Sequence, residues 1–131
     1  MPTFVYEKLV RNNIPSFHDE AGHKSTVKKL EGSELTSALT AKLHEEADEV
    51  NAALTQDELI EELADVQQVI EDLCLTNNIP KEQLLEVMTK KSERKGGFSE
   101  GYYIETVTMP NEDDKWVTYC RNAPDKYPEI K

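Results

Sequence analysis

Leu35, Leu39, Leu43, Val50 and Leu54 recur at the spacing of one face of an α-helix. Ser33 stands just ahead of this stripe, where an N-cap belongs. A second stripe runs through Leu59, Leu63, Val66, Ile70 and Leu73 and fades at Asn77-Asn78. Thr55, with Glu58 three residues on, opens it with a capping-box pattern. Pro80 fits the first turn of a further helix, with Leu84, Leu85 and Met88 apolar and Gly96-Gly97 as its stop. Ahead of these elements, Pro15 opens a short helix, Ala21-Gly22-His23 reads as a turn and Thr26-Val27 as a brief extended piece. After Phe98 the pattern changes. Tyr102 to Val107 and Trp116 to Cys120 are rich in β-branched and aromatic residues, and the polar stretch Pro110 to Asp114 lies between them. That arrangement predicts a short C-terminal hairpin. The expected fold is an all-α antiparallel helical bundle in a single domain over residues 1–131, with its helical core at about 33–97 and an extension at about 101–131.

Composition narrows the function classes. No apolar run approaches the roughly 20 residues that span a membrane. The first residues lack the basic and then apolar order of a secretory signal. Cys74 and Cys120 are too few for a disulfide scaffold, and the chain reads as a cytoplasmic protein with reduced thiols. A net charge of -11 argues against a nucleic-acid polymer as partner. The acidity is concentrated: residues 31–74 carry thirteen acidic side chains and one basic one, Lys42. Such a block is either a solvated face or a cation site.

Helical geometry separates the two. A solvated face puts its acids opposite the apolar stripe. At about 100° per residue, the stripe of the first helix spans an arc of roughly 60° either side of its mean direction. Glu46 falls inside that arc, Glu49 on its edge, and Glu45 and Asp48 point away. The second helix repeats the arrangement, with Glu62 inside its stripe, Asp65 at the margin and Glu61 outward. Burying these four carboxylates without counter-charge would cost several kcal/mol each or force them to take up protons. One lysine cannot balance them, whereas a divalent cation can. Oxygen donors without neighbouring His or Cys select a hard ion, Mg²⁺ with Mn²⁺ as a substitute.

The run Glu45-Glu46-Ala47-Asp48-Glu49-Val50, followed by Glu61-Glu62-Leu63-Ala64-Asp65-Val66, resembles the EExxE…ExxD signature of the MazG-like and phosphoribosyl-ATP pyrophosphohydrolase superfamily. Tyr6 to Pro15 is similar to the "KLVRDKIP" opening of one branch, and Arg94-Lys95-Gly96-Gly97-Phe98 to its "RGGF" motif. Asn12-Asn13 replaces the usual Asp-Lys, and Lys95 stands where Arg is common. The resemblance implies an all-α enzyme, commonly a dimer or tetramer, that releases pyrophosphate from a nucleotide. It also implies that Glu46, Glu49, Glu62 and Asp65 bind Mg²⁺, the same four that the helical wheel selects.

The function expected on this basis is Mg²⁺-dependent hydrolysis of a nucleoside triphosphate at the α–β phosphate bond, of the house-cleaning type. Phosphoribosyl-ATP hydrolysis is the alternative within enzymes, and a non-catalytic acidic helical interaction module the alternative outside them. Candidate phosphate contacts are Lys8, Arg11, Lys91, Arg94 and Lys95, with Phe98 placed to stack on a base or to pack. Basic residues near a helix end also complement the macrodipole whatever the function. Short helices with charge on their inner faces gain from a second copy, so a homodimer or higher homo-oligomer is expected.

Overall fold

A computed structural model describes residues 1–131. The chain is all-helical, without strands, and divides into two compact units, Met1–Arg94 and Lys95–Lys131. In the first unit α1 (Ile14–Glu20) is followed by α2 (Gly32–Ala52), α3 (Gln56–Thr76) and α4 (Lys81–Lys95), the last running up to the division. In the second unit the one helix is α5 (Lys115–Arg121). No helix is long and apolar enough to cross a membrane.

Local chemistry explains the helix ends. Pro15 lies in the first turn of α1, where its missing N–H costs nothing. The Thr55 hydroxyl accepts a hydrogen bond from the Glu58 N–H at 3.1 Å, and the Glu58 carboxylate accepts one from the Leu54 N–H at 2.9 Å. Asn78 takes a left-handed φ of 56° just past α3, and Gly96 one of 81° just past α4. One boundary departs from expectation. Gly32 is already helical and Glu31 flanks it, so Ser33 sits inside the first turn and caps nothing.

α2 and α3 lie antiparallel, folded back at Ala53–Thr55. At their far end Asn77 donates to Thr36 Oγ1 at 3.2 Å and to the Leu73 carbonyl at 2.8 Å, tying the start of α2 to the end of α3. Little apolar surface is covered. Leu39 and Val69 are the only buried hydrophobic side chains of the chain. Leu54, Leu59 and Leu63 stay exposed, as do Leu84, Leu85, Val87 and Met88 of α4. The stripes have their helical spacing, but only part of each meets the other helix.

The C-terminal hairpin is not formed. Residues 102–107 carry no regular structure, and Trp116 to Cys120 lie within α5. The polar stretch that reads as a hairpin loop is a helix start. Asn111 Oδ1 accepts from the Asp113 N–H at 3.0 Å, and Asp114 Oδ1 accepts from the Trp116 N–H at 2.9 Å as the N-cap. Once capped, the aromatic residues use helical spacing. Trp116 and Tyr119, three apart, meet edge to face at 5.6 Å, and Tyr119 approaches Tyr127 at 5.9 Å. Strand propensity needs a neighbouring strand to act on, and none is present. Thr26-Val27 likewise pairs with nothing.

A candidate metal centre on the α2–α3 pair

Glu46 and Glu62 each lie eight residues from Leu54, on opposite sides of the turn. An antiparallel pair folded there brings them level. Asp65 follows Glu62 by three residues and so shares its helix face. One carboxylate oxygen each from Glu46, Glu62 and Asp65 come within 4.8 Å of one another. Glu46 is buried, at 8% exposure, while Glu62 and Asp65 are half-buried. Glu49 stands outside this trio and is exposed, although its charge still acts on Glu62.

The carboxyl of Glu62 is pushed above its usual 4.5 by partial burial, then by the like charges of Asp65, Glu49, Glu46 and Glu61. The group is thus a set of anions brought together against their own repulsion. Three oxygens from two helices, with no nitrogen or sulfur donor among them, are a ligand set suited to a hard divalent cation.

Part of the repulsion is answered by cations. Lys42 Nζ lies 3.5 Å from Glu46 and 3.2 Å from Glu45, one turn along α2. Lys8 reaches Glu45 at 3.3 Å from the N-terminal segment, and Arg11 pairs directly with Asp65. Glu7, at a left-handed φ of 46°, sets the bend that precedes Lys8. Glu45, outward by the wheel, is half-buried between these two lysines. Desolvation raises its carboxyl, but the hydrogen bonds from Lys42 and Lys8 outweigh that and hold it below the usual value. Its role is that of a partner to the site's cations. The wheel missed this because it ranks directions against the apolar stripe; the Lys42–Glu45 spacing of three was the available signal.

The remaining expected contacts are spread out. Lys91 and Arg94 are exposed on α4 and make no ion pair with the cluster. Lys95 and Phe98 belong to the second unit, where Phe98 is almost wholly exposed. His18 and His23 have no ligand spacing in sequence, yet the turn at Gly22 (φ 80°) brings their Nδ1 atoms to 2.8 Å. They share a hydrogen bond there, with Tyr6 edge-on to His18. Cys74 and Cys120 are both free thiols.

The model of the phosphoribosyl-ATP pyrophosphohydrolase family matches residues 14–92, more than half of the chain. The matched stretch runs from α1 into α4 and includes all of Glu46, Glu49, Glu62 and Asp65, while Lys8 and Arg11 precede it. No curated protein and no solved structure matches the chain.

Proposed function

The chain belongs to the phosphoribosyl-ATP pyrophosphohydrolase family, within the MazG-like all-α pyrophosphohydrolases, and on that premise we propose that it hydrolyses a nucleoside triphosphate at the α–β bond. The products are a nucleoside monophosphate and pyrophosphate. Membership makes it a nucleotide pyrophosphohydrolase, a hydrolase acting on acid anhydrides; the reading of an acidic interaction module falls with that. The choice of triphosphate and of metal ion is our own reading. The observation that carries the metal is the convergence of Glu46, Glu62 and Asp65 oxygens within 4.8 Å on facing helices; the triphosphate is favoured by the likeness of Tyr6 to Pro15 and of Arg94 to Phe98 to the "KLVRDKIP" and "RGGF" motifs of the house-cleaning branch.

Glu46, Glu62 and Asp65 are the residues that would hold Mg²⁺, with Glu49 at the exposed rim. When bound, Mg²⁺ neutralises triphosphate charge and polarises the phosphorus under attack. Lys8 and Arg11 line the approach to the cluster and supply donors for phosphate oxygens. Water attacks the α-phosphorus, its proton passes to a carboxylate of the set, and the bond to the β-phosphate breaks. Hydrolysis of phosphoribosyl-ATP is the second reading, favoured by the description of the matched family. It breaks the same bond and needs the same cluster.

Exposed apolar surface supports a second copy of the chain as the partner. Two buried hydrophobic side chains cannot offset the entropy of ordering two 21-residue helices. The uncovered leucines of α3 and α4 are the surface that a homodimer would bury. A Leu84→Lys, Met88→Lys double variant should sediment as a monomer at micromolar concentration, where the parent sediments as a dimer.

Pyrophosphate release from canonical and damaged nucleoside triphosphates and from phosphoribosyl-ATP, with and without Mg²⁺, tests the function. Release only with Mg²⁺, fastest on a nucleoside triphosphate, is the expected result. A preference for phosphoribosyl-ATP selects the second reading, and activity on none overturns both.

A further inference from the structure

We propose that Arg11 is a latch on the carboxylate cluster, holding Asp65 while no divalent cation is present and turning to the nucleotide's phosphates once a cation takes Asp65. The inference rests on the metal-centre reading and goes beyond it in giving Arg11 two successive partners. Two basic side chains touch the trio Glu46, Glu62 and Asp65. Lys42 is built into α2, one turn from Glu46, with only 18% of its side chain exposed. It is a fixed counter-charge. Arg11 comes from outside the helix pair, on the segment ahead of α1, and its side chain is 57% exposed. Its backbone is anchored, since its carbonyl accepts the Ile14 N–H at 3.0 Å. The guanidinium is therefore an exposed group on an anchored base.

The pair it makes is weak enough to exchange. Arg11 is mostly exposed and Asp65 half-buried, so water and salt reach the pair and screen it. A cation ligated at the cluster draws on the carboxylate that Arg11 holds through its single Nη2–Oδ1 contact, and repels the guanidinium beside it. The freed guanidinium then has its full fork to offer a phosphate. Arg11 precedes the matched residues 14–92 and lies on the segment that resembles the "KLVRDKIP" opening of one branch. The consequence is an order of assembly. Phosphates find their arginine on the cation-loaded protein and find it occupied otherwise.

Mn²⁺ binding to the full chain without nucleotide, followed by the spin-resonance signal of the free ion, separates the possibilities. Arg11→Gln should tighten Mn²⁺ by about two- to fivefold, the worth of an exposed pair. Lys8→Gln removes the same charge from Glu45, outside the trio, and should shift the affinity less. On the unaltered chain, Mg²⁺ saturation should move the Arg11 Nε–Hε resonance and speed its exchange with water. Weaker Mn²⁺ binding in Arg11→Gln, equal shifts in the two variants, or an unmoved Arg11 resonance would overturn the latch. Failure of the metal centre itself reads differently: the parent chain would bind no Mn²⁺, or Glu62→Gln would bind it undiminished, and the latch falls with it.

Discussion

Carboxylates on α2 and α3 and carboxylates around α5 are the same chemical groups placed in opposite circumstances. Around α5, Arg121 holds Glu112 at 2.8 Å through Nη1 and Glu129 at 2.8 Å through Nε, with further contacts from Nη2. Those hydrogen bonds hold both carboxyls below their usual value and push the guanidinium further up. Arg121, Glu112 and Glu129 thus find their partners inside the chain. On the α2–α3 pair, five carboxylates (Glu45, Glu46, Glu49, Glu62 and Asp65) share three cations, and Glu62 is pushed up by burial and by its neighbours. A carboxylate that lowers its pKa in the folded chain is satisfied by the fold. Glu62 is raised instead, and its meeting with Glu46 and Asp65 within 4.8 Å leaves a place that an added cation can fill.

The sharpest way to break this comparison is to remove one charge from each region. Glu62→Gln should reduce Mg²⁺-dependent pyrophosphate release by at least about 100-fold, since the ligand set acts on charge that develops in the transition state. Without metal the same change should raise the melting temperature, because it relieves repulsion. Glu112→Gln should instead loosen the Arg121 clamp, read as faster amide exchange in α5, and leave pyrophosphate release as it was. If Glu62→Gln melts earlier and still hydrolyses, the cluster is structural and the two regions are alike.

How far the sequence foretells each region follows from the range of the forces involved. α2, α3 and α4 are legible because period-3.6 stripes, the Thr55–Glu58 box, Pro80 and Gly96 are all local signals. The placement of Glu46 and Glu62 is legible for the same reason, given a turn at Leu54 from which both are equidistant. Glu45 is not, because its surroundings are made by Lys8, thirty-seven residues away, and no periodicity encodes that meeting. α5 is missed for a different reason: an Asp at a helix start and an Asp in a hairpin loop look the same, and the side-chain bond from Asp114 to Trp116 decides between them. The uncovered leucines of α3 and α4 read as core in the sequence because apolar spacing marks one face of a helix and carries nothing about what lies against it.

Titration sharpens the contrast with a smaller effect. Carboxyl carbon shifts followed by NMR should give Glu62 a midpoint above 4.5 and Glu45, Glu112 and Glu129 midpoints below it. The stability signs follow. Glu62, raised in the fold, favours the fold fully below 4.5, and that contribution is lost as pH rises through its raised pKa. Glu112 and Glu129, lowered in the fold, contribute above 4.5, and their share is lost as pH falls through their depressed values. Mg²⁺ should pull the Glu62 midpoint down past the usual value and leave the other region's midpoints in place. A Glu62 midpoint indifferent to Mg²⁺ would remove that carboxylate from the ligand set.

The smallest test compares the caps that start a helix in each region. Thr55→Ala removes the acceptor of the Glu58 N–H and should cost about 1 kcal/mol of stability, measured by denaturant unfolding. α3 should survive this, because it is 21 residues long and packed along α2, and the Glu46–Glu62 register should hold with it. Mn²⁺ affinity should therefore stay within twofold of the parent value, a margin that corresponds to about 0.4 kcal/mol. Asp114→Ala removes an equivalent bond from a helix of 7 residues, which has too few turns to propagate without it. Amide protection across Lys115–Arg121 should collapse there, and the Arg121 contacts to Glu112 and Glu129 with it, because they depend on α5 presenting the guanidinium to both. A cap variant that weakened Mn²⁺ binding through Thr55 would mean that the metal centre depends on the helix end, and that helix packing alone does not hold it in register.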